Sequence, residues 1–181
     1  GGRGRSSDYT NVGKFLFEFL PKIHKENPNI MVIAGNPSQK FTNKELVDEL
    51  GQYGFRSFVP AAPTRQEYLW FGMFSDIAVG LYNQDSYGGT AARELVDLGC
   101  LPLWLDNYEY ASIAREVGYE QWLAKPDFSD IVAATSRLIQ LTHDDDLYYK
   151  YSSALRDVVR RRCSYEATTP VALKRMGILP E

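Results

Sequence analysis

The chain reads as an α/β fold in which a Rossmann-like parallel sheet carries helices on both faces. Three observations predict it. Short apolar runs of strand length alternate with longer stretches whose apolar residues recur at helical spacing. No two-residue hairpin turn joins one apolar run to the next, so the connections are crossovers, which are right-handed in parallel sheets. The runs are apolar throughout, the pattern of strands buried on both faces.

Each element has its own warrant. Lys14 to His24 is predicted helical, with Phe15, Leu16, Phe19, Leu20 and Ile23 on one face. Asn29 to Gly35, "NIMVIAG", is a short apolar run that reads as a buried strand. Thr42 to Tyr53 opens with Thr42 and Glu45 at capping-box spacing and carries Leu46, Val47 and Leu50 on one face. Phe55 to Val59 is a short strand. Thr64 to Phe74 repeats the capping device with Thr64 and Glu67, followed by Tyr68, Leu69, Phe71 and Met73. Asp76 to Tyr82 is a third strand, and Thr90 to Leu98 a helix that Gly99 stops. Cys100 to Leu105 is a fourth strand and Tyr108 to Val117 a helix. A short extended piece at Trp122 to Ala124 is a candidate fifth strand. Helices at Phe128 to Leu141 and Asp144 to Arg161 close the pattern, and a tail runs to Glu181.

At 181 residues and 44% hydrophobic, the chain suits one domain spanning 1–181, with 144–181 as terminal helix and tail. A formal net charge of -3 exerts no global pull toward nucleic acid or anionic membrane. No apolar run approaches the roughly 20 residues that span a bilayer. Cys100 and Cys163 are too few for a disulfide framework, which points to a reducing, cytoplasmic setting. The opening "GGRGRSSDYTN" lacks an initiator methionine and reads as the start of an excised piece of a longer chain.

Parallel sheets bind ligands at the carboxyl ends of their strands. Three stretches fall there: "AGNPSQ" (Ala34 to Gln39), "VPAAPT" (Val59 to Thr64) and "LYNQDSYGGTAARELVDLGCLPLW" (Leu81 to Trp104). In the last, Gly88 and Gly89 precede a helix whose first-turn N–H groups and positive dipole end suit a phosphate. Glu94, one turn further on, is a carboxylate able to accept hydrogen bonds from vicinal hydroxyls such as those of a ribose. A tight turn with a solvated Glu94 is the plainer alternative from spacing alone.

The order "GR…N", "VIAG", "SDIAVGLY", "SYGGTAARELVDLGCLPLW" and "LAKPD" resembles the C-terminal, donor-binding half of a GT-B glycosyltransferase of the group 1, family 4-like kind. The likeness runs from Gly4 to about Leu141 and is most specific from Ser75 to Trp104. It implies one half of a GT-B fold, in which Glu94 holds the nucleotide ribose as the second carboxylate of an E-x7-E pair. Tyr87, Gly88, Gly89 and Thr90 fall on the loop whose backbone amides hold the donor's diphosphate and sugar. Ser86 stands where that pattern has its first glutamate, with Asp85 adjacent. "GRSSDYTN" is similar to the family's GR-x4-KN, so Arg5 takes the place of the phosphate-binding arginine. Thr10 replaces the lysine, and Lys14 lies one helical turn beyond. Phe58 and Val59 become neighbours of the base. The implied activity is transfer of a hexose-like sugar from a nucleoside-diphosphate sugar to an unspecified acceptor, with retention of configuration, without a metal or other cofactor. The implied partners are the nucleotide sugar and an N-terminal Rossmann-like domain of the same chain. Arg5 and Glu94 are the residues expected to carry catalysis.

Two alternatives stand beside this reading. One is a degenerate glycosyltransferase-like module that binds nucleotides or partners without transfer, which Ser86 and Thr10 favour. The other is a sugar-nucleotide epimerase on the same architecture. His24 and His143 lack metal-spaced partners, and Asp144 to Asp146 sit where a helix start favours acids. The basic stretches "GGRGR" and "VVRRRC" read as solvated charge, with contact to a nucleic acid or other polyanion as the alternative. Tyr148, Tyr149, Phe71 and Phe74 are expected in the core or in inter-domain packing, with apolar surface near Tyr148, Tyr149 and Leu155 left exposed.

Overall fold

The computed structural model describes residues 11, 13–34, 43–54, 56–60, 64–81 and 90–175. The chain enters through a π-helical turn, Phe15–Phe19, that runs directly into helix α1, Leu20–Glu26. Strand β1 (Met31–Ile33), α2 (Asn43–Gln52), β2 (Arg56–Phe58) and α3 (Arg65–Met73) follow. Then come β3 (Ile77–Gly80), α4 (Thr90–Asp97), β4 (Leu101–Trp104) and α5 (Tyr108–Glu116). A 3-10 turn, Glu120–Trp122, precedes α6 (Ile131–Leu141), α7 (Asp145–Cys163) and α8 (Tyr165–Arg175). No helix among the described residues is long and apolar enough to cross a membrane.

The α/β alternation and the parallel pairing are both present. β1 pairs with β2 in parallel, Val32 opposite Ser57, and β3 pairs with β4, Gly80 opposite Trp104. The continuous sheet is not: among the described residues the strands form two separate two-stranded ladders. The expected fifth strand is also reduced, since Trp122 closes the 3-10 turn and only a single parallel bridge joins Ala124 to Leu105. The strands also differ in coverage. β4 is buried at every residue, whereas β1, β2 and β3 each expose an alternate side chain, Met31, Phe58 and Val79. Only β4 is enclosed on both faces, as an uninterrupted apolar strand implies.

A single hydrophobic core nevertheless joins the two ladders. It runs from Phe15, Leu16 and Ile23 through Leu46 and Leu50 to Leu101, Leu103, Trp104 and Leu105, and on to Leu138 and Leu155. Burying one such side chain stabilises the fold by about 1.5–3 kcal/mol. Two hydroxyls brace β4. Tyr119 donates to the Pro102 carbonyl at 3.1 Å, and Tyr148 to the Gly99 carbonyl at 3.1 Å. Gly99 itself has φ 105, a left-handed value that ends α4 and lets the chain turn into β4.

The capping signals act as the sequence indicates. Thr64 accepts from the Glu67 N–H, and Glu67 accepts from the Thr64 N–H at 2.7 Å, a complete capping box on α3. Asp144 accepts from the Leu147 N–H at 3.0 Å, so the acidic run is a helix cap.

The tail and Leu155 depart from expectation. The tail is helical over Tyr165–Arg175, restarted after an extended Ser164 whose hydroxyl accepts from the Ala167 N–H. The cationic end of α7 is exposed, as expected, and is also paired. Arg160 pairs with Asp97 on α4, while Arg161 and Arg162 both pair with Glu116 on α5. The aromatic pairs also divide. Phe71 packs edge-on against Phe58 and Tyr148 is partly buried, while Tyr149 is 68% exposed, as expected for that surface, and Phe74 81%. Leu155, expected near an exposed surface, is fully buried.

Two predictions follow from this packing. A Cβ on Gly80 would meet the Ala92 Cβ at 3.1 Å and the Trp104 ring at 3.1 Å, and neither a backbone-fixed methyl nor a buried indole can retreat. Gly80→Ala should therefore cost about 1–3 kcal/mol in urea unfolding; an unchanged midpoint would show that α4 yields. The second concerns alkaline pH. Burial pushes the Cys100 thiol from an ordinary 9.0 up to about 12 and the Tyr148 phenol from 10.0 up to about 12. The unfolded chain sheds these protons first, so their stabilisation is complete below pH 9 and declines as pH rises toward 12. Urea midpoints should fall over that window, less steeply in Cys100→Ala, and a flat profile would contradict the burial.

Candidate functional site

The carboxyl ends of β3 and β4 lie side by side, with the first turn of α4 against them. Gly80 closes β3, and its lack of a side chain lets Ala92 and the Trp104 indole approach within contact. Trp104 is fully buried and stacks on Tyr110 at 4.4 Å between ring centroids. The space directly between the two strand ends is therefore filled by an indole, and any ligand must sit above it, toward the start of α4. Among the described residues the Trp104 Nε1–H has no hydrogen-bond partner. An unpaired buried donor of this kind costs about 1–3 kcal/mol.

Glu94 sits in the second turn of α4, and its side chain reaches the start of α3. Both oxygens are engaged by Arg65: Nη1 donates to Oε2 at 2.7 Å and Nη2 donates to Oε1 at 2.6 Å. Arg65 is the first residue of α3 and follows β2, so the pair spans the carboxyl-end sides of both ladders. The Glu94 side chain is 26% exposed and that of Arg65 62%. At such exposure an ion pair contributes only about 0.2–1 kcal/mol and opens readily. α3 reaches α4 closely because Gly72 faces Leu95 and Leu98. A Cβ there would lie 2.6 Å and 2.7 Å from their methyl carbons.

The sequence-derived site residues fall into two groups. Glu94, Phe58 and Val59 are described in full, and Thr90 as backbone at the start of α4. Phe58 is 47% exposed at the end of β2, with its ring against Phe71, while Val59 is buried in the core. A base could touch Phe58; Val59 supports from beneath. Arg5, Thr10, Asp85, Ser86, Tyr87, Gly88 and Gly89 lie outside the described residues. Lys14, the cation considered as a substitute for the missing lysine, places Nζ 5.4 Å from the Phe19 ring centroid and 5.9 Å from that of Phe128.

Two residues that motif reading passed over contribute here. Asn11, the asparagine of "GRSSDYTN", is buried and donates from Nδ2 to the Leu81 carbonyl at 3.3 Å. The bond joins Asn11 to the last described residue before the glycine-rich stretch. Arg65 is the other, and no spacing signal distinguished it from an ordinary first-turn residue. A separate cleft of about 340 Å³ lies between Phe19, Lys22 and Glu26 on one side and Phe128 to Ala133 on the other. Among the described residues, no three His, Cys, Asp or Glu side chains gather as a metal site would require.

No protein family, no curated protein and no solved structure matches this chain.

The lone indole N–H gives a direct test of how the site's floor is built. Trp104→Phe removes an unpaired donor while keeping most of the ring, so stability should stay within about 1 kcal/mol of the parent. Trp104→Ala should cost about 3–5 kcal/mol. A Phe variant destabilised as much as the Ala variant would mean that the N–H has a partner.

Proposed function

We propose that this chain is a nucleotide-sugar-binding unit of the glycosyltransferase type, the donor-binding half of a GT-B enzyme. In this reading it supplies the donor site for transfer of a hexose-like sugar to an acceptor held by a second, N-terminal Rossmann-like domain. The observation that carries the reading is the position of Glu94: its carboxylate stands at the carboxyl-end side of the parallel strands, on the helix that follows the glycine-rich loop. A carboxylate placed there can accept two hydrogen bonds from a ribose diol, while phosphates lie toward the first turn of α4. Phe58 offers a partly exposed ring for the base at the end of the neighbouring ladder.

The chemistry asked of such a site is modest. The departing diphosphate needs its growing charge stabilised, and backbone N–H groups at a helix start, together with Arg5, would do so without a strong acid. The Asn11–Leu81 hydrogen bond supports this, since Asn11 stands six positions after Arg5 in the sequence and Leu81 directly precedes the loop.

A second reading, a degenerate module that binds a nucleotide or a protein partner without transfer, also has support. Trp70 and Met73 on α3 and Phe74 directly after it are all exposed at i, i+3 and i+4 spacing, an apolar stripe suited to a protein partner.

The nucleotide reading is tested by Glu94→Gln, which keeps the shape but loses the charge. Calorimetric titration with UDP, GDP and ADP should show one of them binding the parent chain. Its affinity should fall about tenfold or more in the variant, a loss of roughly 1.4 kcal/mol. An unchanged isotherm, with an unchanged circular dichroism spectrum, would exclude the ribose role.

A further inference from the structure

We propose that the amino ends of β3 and β4 carry a docking surface for an amphipathic helix of another protein, apolar along one face and rich in lysine or arginine beside it. The inference takes up the exposed stripe at the end of α3 and does not depend on the nucleotide reading. Two inward anchors build the surface. Cys100 Sγ lies 3.1 Å from the carbonyl oxygens of both Gly72 and Ser75, which fixes the end of α3 against the entry to β4. Met73 and Phe74 stand between those two carbonyls and are 64% and 81% exposed. On α7 the Tyr148 hydroxyl donates to the Gly99 carbonyl at 3.1 Å, one residue before Cys100. Its neighbours Leu147 and Tyr149 are 36% and 68% exposed, and the Tyr149 ring packs edge-on against that of Tyr148.

Four large apolar side chains thus stay in water beside one pair of inward-facing anchors, more than scattered exposure requires. Acids border them. Asp76 directly precedes β3, and after burial its charge is the next cause that raises the Cys100 thiol and the Tyr148 phenol, so its carboxylate stands beside both anchors. Asp145 and Asp146 form the start of α7, directly before Leu147. None of the ion pairs among the described residues takes up these three acids. Lys150, next in sequence to Tyr149, holds its Nζ 5.3 Å from the Tyr151 ring centroid. An apolar patch bordered by such acids complements a helix whose apolar stripe is flanked by cations, and it disfavours an anionic lipid surface. The patch lies at the end of the strands opposite to Glu94, so a domain closing over their carboxyl ends would leave it open.

The test titrates the chain into a labelled amphipathic peptide of about 18 residues, leucine at helical spacing and lysine elsewhere, and into its counterpart with glutamate for lysine. Fluorescence anisotropy should show the lysine peptide bound about tenfold or more tighter than the glutamate peptide. Phe74→Ser and Tyr149→Ser, both at exposed positions, should keep the parent circular dichroism spectrum and each weaken the lysine peptide about fivefold or more. Asp145→Asn combined with Asp146→Asn should weaken it as well and flatten its dependence on salt. The docking surface is overturned if the lysine peptide binds no better than the glutamate peptide, or if either apolar variant stays within about twofold of the parent. It is equally overturned if the paired acid substitutions change neither affinity nor salt dependence. A dimer in sedimentation that Phe74→Ser dissociates would assign the patch to a second copy, and co-pelleting with phosphatidylcholine–phosphatidylserine vesicles would assign it to a membrane; either result rejects the basic helix. None of these outcomes bears on the Glu94→Gln titrations, which test the nucleotide reading separately.

Discussion

Burial of the short strand Leu101–Trp104 is the constraint on which the rest of this structure depends. Among the described residues it is the one strand buried along its whole length; helices, a parallel partner and the Tyr119 hydroxyl converge on it, and the Tyr148 hydroxyl holds its entry at Gly99. Its entry requires the left-handed turn at Gly99, and its exit places Trp104 under the start of α4. The position of Glu94 follows from that packing, because α4 is held between β3 and β4 on one side and α7 on another. A loss of enclosure at this strand would move the candidate site before it touched any residue in it.

Arginine–carboxylate pairs serve two purposes in the same molecule. Arg160, Arg161 and Arg162 bind acids on α4 and α5 and fasten the long helix α7 across them. Arg160 and Arg161 stay 59% and 63% exposed, so each of these pairs contributes only about 0.2–1 kcal/mol. The Arg65–Glu94 pair joins α3 to α4 instead, at the strand ends where ligands enter parallel sheets. The bonds differ in form as well as in place: Arg65 grips both oxygens of Glu94, whereas Arg160, Arg161 and Arg162 each donate a single hydrogen bond to their acid.

The two ladders differ in how completely they are covered. Around β4 the apolar surface is enclosed. Around β1 and β2, Met31 and Phe58 remain open, and Trp70, Met73 and Phe74 extend an apolar stripe along α3. The expectation of helices on both faces of one sheet therefore describes one end of the molecule well and the other incompletely. The shared core, running from the entry helix through Leu101 and Leu103 to Leu155, keeps the two ends in one unit.

Much of this protein was legible in its residues. The helical periods, the Thr64–Glu67 capping box, the Asp144 cap, the stop at Gly99 and the parallel alternation are all local signals, set by backbone geometry within a few residues. Tertiary structure alone decided the remainder. Apolar runs such as "NIMVIAG" cannot specify which strands pair or which faces are covered, since that depends on elements distant in sequence. The helix at Tyr165–Arg175 carries only weak amphipathic patterning and a proline, so its helical state was not legible as a pattern. Likewise, Arg65 and Glu94 are 29 positions apart and ordinary in isolation. Their pairing exists because Gly72 lets α3 close on α4, a matter of packed volume that no motif records.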